Sequence, residues 1–109
     1  MEQLLLGIDI GTSACKTALF TLDGRVVSQS TEEYCVYYPG PNCVEQDPRE
    51  WFDAVAAGIR KIVSGVDVSK IAGIGIDGQS WSFIPVDRQG NVLHNALIWM
   101  DRRSVKQCE

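Results

Sequence analysis

Asp9, Gly11, Thr12, Ser13 and Lys16 bring a carboxylate, a glycine, two hydroxyls and an amine into a span shorter than one hairpin. These residue types suit phosphate chemistry. The N–H groups of a tight Gly-Thr-Ser turn, with its hydroxyls, can point into one concavity that fits phosphate oxygens. A carboxylate alongside suits a hard divalent cation, held largely through water. Gly11 is expected to supply a tight bend or a positive φ. Asp, Gly, Thr and Ser are also ordinary turn residues, so position must separate the two readings. The group follows the apolar run Leu4–Ile10 almost at the N-terminus, and a second apolar run returns through Thr17, Ala18, Leu19 and Phe20. That is a buried hairpin carrying a phosphate-type turn.

The elements that position this turn can be read in order. Asp23-Gly24 marks a second hairpin turn, followed by a strand over 25–31 with polar alternation. Pro39, Gly40, Pro41 and Asn42 make 34–44 a loop, whose Tyr34, Tyr37 and Tyr38 suggest that it packs down. Asp47 is the expected N-cap of a helix, with Pro48 at its first position and Glu50 completing a capping box. Trp51, Phe52, Val55, Ala56, Ile59, Ile62 and Val63 recur with helical period, and Gly65 is the expected C-cap. A further strand covers 70–78. Its Gly73-x-Gly75-x-x-Gly78 spacing matches a dinucleotide fingerprint, but that motif must open a helix, and the residues after it are β-prone. The glycines are instead read as close backbone approach within a strand. A hairpin around Gln89-Gly90-Asn91, a strand over 95–101 and a helix start at 102–104 complete the order.

Three antiparallel strands, a crossover helix and a parallel strand predict an α/β fold of the ribonuclease H-like type. With 109 residues, a net charge of -4 and a pI of about 4.9, the chain lacks the basic surface that nucleic acid or an anionic membrane requires. No apolar run approaches the ~20 residues of a membrane span, and Met1-Glu2-Gln3 has no signal-peptide character. Cys15, Cys35, Cys43 and Cys108 form no metal-type pair, and His94 has no ligand-type neighbours. Reduced, structural thiols in a cytoplasmic protein without zinc are expected.

Four stretches in one order carry a resemblance that spans essentially the whole chain. They are Gly7-Ile8-Asp9-Ile10-Gly11-Thr12-Ser13 with Lys16, Glu45-Gln46-Asp47-Pro48 with Trp51, Gly75-Ile76-Asp77-Gly78-Gln79, and Trp99-Met100-Asp101-Arg102-Arg103. Together they resemble the N-terminal part of the FGGY carbohydrate kinases, the xylulose kinases most of all. The resemblance implies an actin-like ATPase fold and transfer of the ATP γ-phosphoryl to a sugar hydroxyl. It places Asp9 at Mg²⁺, and Gly11, Thr12, Ser13 and Lys16 at the ATP phosphates. Gln79, Ser80 and Trp81, with Trp99, Asp101 and Arg103, would line the sugar pocket, where an indole face stacks on a sugar's C–H face. The alternative for Trp81 and Trp99 is core packing, and for Asp101 and Arg103 a surface salt bridge. Many xylulose kinases carry Met-His where this chain has Ser80-Trp81, which leaves the acceptor open between a ketopentose such as xylulose and a related polyol.

The resemblance also implies that residues 1–109 are the first part of domain I. The catalytic base, the adenine pocket and domain II are expected beyond residue 109. No kinase activity is then expected of the chain alone, and exposed apolar surface should make it self-associate, with a functional homo-oligomer left open. Two other functions fit parts of the pattern. Asp9, Glu50 and Asp77 could form the carboxylate cluster of a metal-dependent nuclease. A non-catalytic actin-like nucleotide module would use the phosphate hairpin without the tryptophan-bearing segments.

Overall fold

The computed structural model describes residues 2–109. Strands β1 (Leu4–Ile10), β2 (Ala14–Thr21) and β3 (Val26–Glu33) form an antiparallel meander. A two-residue strand β4 (Glu45–Gln46) precedes helix α1 (Pro48–Ile62). After a 3₁₀ turn at Val68–Lys70, β5 (Ile71–Gly78) runs parallel to β1, giving the order β3-β2-β1-β5. Strand β6 (Ala96–Leu97) pairs with β4, and α2 (Val105–Cys108) follows. This is the expected meander, crossover helix and parallel strand.

Period-two alternation decides which face is covered. Leu4, Leu6 and Ile8 of β1 and Cys15 and Leu19 of β2 are buried under Ala54 and Ile62 of α1. The residues between them, Leu5, Asp9 and Lys16, lie on the opposite face and are exposed. Helix α1 crosses β2 closely at Gly58, where an added Cβ would come within 2.7 Å of Thr17 Oγ1. It packs on β2 and β3 and hardly reaches β5. Ile74 and Ile76 are therefore 63% and 69% exposed. A second, smaller core gathers Val44, Ala96 and Ile98 with Val36, Trp51, Ile84 and Met100.

Several local expectations are corrected. Asp47 caps α1 and Pro48 is at its start, but no capping box forms. The Asp47 carboxylate accepts from the Arg49 N–H at 2.9 Å, while the Glu50 carboxylate accepts from the Tyr37 hydroxyl at 2.8 Å. Val63 is the C-cap, and Gly65, at φ +74°, turns the chain after it. Gly11 has no positive φ; space is what it supplies, since a Cβ would sit 3.1 Å from the Ala14 carbonyl. Among the fingerprint glycines only Gly78 has backbone where a side chain would be, since an added Cβ would sit 2.9 Å from the Ile10 carbonyl oxygen, whereas at Gly75 it would meet open space. The expected strand over 95–101 shrinks to Ala96–Leu97, and the hairpin before it to the single bridge of Val86 with Val92, while Phe83 bridges to Leu97 of β6. Of the loop tyrosines, Tyr34 packs on the core while Tyr38 is exposed.

Candidate functional site

The phosphate-type turn sits where β1 hands over to β2. The Gly11 N–H donates to the Ala14 carbonyl at 3.0 Å and closes it. The Gly11 carbonyl accepts from the Tyr34 hydroxyl and, at 3.4 Å, from Gln79 Nε2. Burial pushes the Tyr34 hydroxyl up to about 12, with the Cys15 and Asp9 charges adding to it. It therefore stays a donor across the physiological range. The Thr12 carbonyl accepts from Gln46 Nε2 at 2.5 Å. Among the described residues, the Thr12 and Ser13 N–H groups donate to no protein acceptor.

Parallel pairing brings the end of β5 beside this turn. The Gln79 N–H donates to the Ile10 carbonyl at 2.9 Å, which carries the chain past the turn and into Ser80 and Trp81. Gln79, Ser80, Trp81, Trp99 and Thr12 line one open depression of about 380 Å³. Its link to the turn is direct, because Trp99 Nε1 donates to Thr12 Oγ1 at 3.0 Å. Trp81 is 90% exposed and Trp99 51%, which rules out core packing for both. Trp81 also adopts a left-handed φ of +63°.

Asp9 and Lys16 lie on the other side of the turn. They are register partners across β1 and β2, and Asp77 is the partner of Asp9 on β5. All three line a depression of about 520 Å³ on the sheet face away from α1. The Asp9 carboxylate is exposed and enters none of the ion pairs among the described residues. Such a carboxylate fits an aquated cation.

Asp101 lines a neighbouring depression of about 290 Å³ with Trp81 and Trp99, and Arg103 is tied to it. The Arg103 guanidinium donates to the Asp101 carboxylate at 2.8 Å and to Glu45 at 2.6 Å, while the Val44 N–H donates to Asp101 at 2.7 Å. The two carboxylate side chains are 6% and 7% exposed and the Arg103 side chain 30%, so this is a clamp at the surface whose carboxylates are covered and whose guanidinium stays partly open. It ties the loop before β4 to the chain after Trp99. Burial pushes both carboxyls up, but the bonds from Arg103 and its neighbours outweigh it and leave both below the usual carboxylate range.

Glu50 belongs to α1, on the face opposite Asp9 and Asp77, and its carboxylate is engaged by Tyr37. The nuclease-type cluster therefore does not assemble. Two residues were given no role by sequence reasoning, Gln46 and Tyr34. Gln46 lay in plain view within Glu45–Pro48, but nothing local tells an amide that reaches Thr12 from one that faces water.

Residues 4–109 match the N-terminal domain of the FGGY family of carbohydrate kinases. The chain belongs to that family. It is 36% identical over 110 residues to a xylulose kinase of Staphylococcus epidermidis, covering 99% of this chain and 22% of that protein. It is 38% identical over 112 residues to a glycerol kinase of Petrotoga mobilis, covering 100% of this chain and 22% of that one. The crystal structure of a "xyloylose kinase" from Brucella ovis superposes with a TM-score of 0.91 at 32% identity, over 96% of this chain and 22% of that chain. The chain thus spans about a fifth of the length of the curated relatives it matches.

Proposed function

We propose that residues 1–109 form the first part of domain I of an ATP-dependent sugar kinase. That enzyme moves the γ-phosphoryl of ATP to a hydroxyl of a ketopentose such as xylulose or of a related polyol. The observation that carries this reading is the bond from Trp99 to Thr12, because it makes the phosphate turn and the tryptophan-lined depression adjoin. Phosphoryl transfer demands little covalent work from the protein and depends on placing donor and acceptor together.

In this reading the Thr12 and Ser13 N–H groups and the Lys16 amine face the ATP phosphates. Asp9 holds Mg²⁺, which when bound offsets charge on the phosphates. Trp81 and Trp99 offer indole faces to the C–H face of the acceptor, and Gln79 and Ser80 offer polar groups to its hydroxyls. Asp101 and Arg103, tied to each other and to Glu45, act on the pocket rim by holding Trp99 in place. The catalytic base, the adenine pocket and domain II belong to chain beyond residue 109.

The test is to read the source gene past the codon for Glu109 and to assay the full-length product with Mg-ATP against a panel containing xylulose and glycerol. Phosphorylation of one panel member is expected, with no turnover by residues 1–109 alone. A stop codon directly after Glu109, or a full-length product inert toward every sugar and polyol offered, would overturn the proposal.

A further inference from the structure

We propose that Gln46 is a positioning residue for the nucleotide site, aiming the Ser13 N–H at the phosphates while holding Gln79 in place on the sugar side. The inference rests on the reading that the Gly11–Ser13 turn takes nucleotide phosphates.

A trans peptide points its C=O and N–H in opposite directions. The peptide between Gly11 and Thr12 has its carbonyl held from the protein side by Tyr34 and Gln79. The next peptide has its carbonyl, that of Thr12, held by Gln46. The N–H groups of these same two peptides, on Thr12 and Ser13, therefore face away from the protein, and neither has an acceptor among the described residues. Rotating either peptide plane would break a partly buried bond to its carbonyl.

The orientation of the Gln46 amide is itself determined. Its Oε1 accepts from Trp51 Nε1 at 3.1 Å and from Gln79 Nε2 at 2.7 Å, so its nitrogen must face the Thr12 carbonyl. A flipped amide would set N–H against N–H at two contacts. Gln46 is 1% exposed, so water does not substitute for these bonds. One side chain thus joins helix α1, the phosphate turn and the strand end that leads to Trp81. An amide has, at every pH, both the acceptor and the donor that this requires. A carboxylate keeps both acceptor contacts and loses the donor to Thr12.

That difference defines the experiment, made on the full-length gene product with equilibrium binding of ADP, which needs neither sugar nor turnover. At pH 8, Gln46→Glu should weaken ADP about tenfold, the loss expected for one buried hydrogen bond turned repulsive. The sugar KM should hold within about twofold, since the contact to Gln79 survives. As pH falls and the buried carboxyl protonates, its O–H can donate to Thr12, and ADP affinity should recover toward the unsubstituted protein. Gln46→Leu should weaken ADP at every pH and also raise the sugar KM.

Equal ADP affinity in all three proteins, or a loss in Gln46→Glu that does not depend on pH, would overturn the proposal. A readout independent of the variants' folding is the unsubstituted protein's own spectrum. ADP must shift the amide resonances of Thr12 and Ser13, and binding that leaves the Ser13 amide unmoved refutes the assignment. ADP binding without sugar phosphorylation would defeat the kinase reading alone, whereas absence of ADP binding would defeat both.

Discussion

Trp81 combines two properties that packing does not explain, a left-handed φ of +63° and 90% exposure. A left-handed conformation costs a residue with a Cβ about 1–2 kcal/mol, and strain of this kind persists where the fold over-determines it. Trp81→Asn, a residue at ease in that region, should raise thermal stability by up to about 1 kcal/mol while raising the sugar KM and leaving ADP affinity alone. A drop in stability would show that the indole packs, and an unchanged sugar KM would remove Trp81 from the pocket. Arg103 poses the opposite case. Replacing it by Met leaves the covered Glu45 and Asp101 carboxylates without the Arg103 cation, at a cost of about 1–3 kcal/mol, less than for a fully buried pair because the Arg103 side chain is 30% exposed. The pH dependence follows from the direction of the shifts. Both carboxyls are lowered in the fold, so their stabilisation is fully present above the ordinary carboxylate range near pH ~4 and is lost as pH falls through the lowered values. In Arg103→Met the Val44 N–H on Asp101 and the Asn95 amide on Glu45 still oppose burial, but without the cation, so the gap from the unsubstituted protein should be widest near pH ~7 and narrow below pH ~4. Urea unfolding at both pH values measures it, and a gap independent of pH would show that the clamp is not electrostatic.

At the scale of elements, the contact of α1 with β2 sets where the helix lies and hence where Trp51 meets Gln46. An added methyl on Gly58 would come within 2.7 Å of Thr17 Oγ1 and 3.1 Å of its Cγ2. Gly58→Ala should therefore destabilise by about 1–3 kcal/mol, despite the better helix propensity of alanine. Adding Thr17→Ala removes the obstacle together with a buried hydroxyl that has no partner, so the double variant should regain most of the loss. Additive effects in the double-mutant cycle would show that the two residues do not clash. The sheet strands and α1 were legible because each repeats its period over seven or more residues. Strands β4 and β6 were not, since each is two residues long and its partner lies some fifty positions away. The missing capping box has a comparable cause. Glu50 has a choice between the helix end and Tyr37, and only the folded loop brings that tyrosine within reach.

Taken as a whole, the molecule is extended. Its radius of gyration is 16.9 Å, against about 13 Å for a closed domain of this length. Strand β5 has one unpaired edge, and Ile74 and Ile76 stand bare beside α1. An open edge with exposed apolar residues is a template for pairing with another copy. Residues 1–109 expressed alone should therefore self-associate in light scattering, and Ile76→Lys should shift them toward monomer. A monodisperse monomer without the substitution would contradict this. What the amino-acid sequence determined by itself was the order of the main elements, the tight Gly11-Thr12-Ser13 turn between β1 and β2, and the family, because periodicity, caps and motif spacing are local properties that survive without the fold. Tertiary structure alone decided the rest. Side chains distant along the chain meet only once the sheet and its two cores close. Thr12 then meets Trp99, Arg103 bonds to Glu45 and Asp101, and Gln46 reaches the back of the turn.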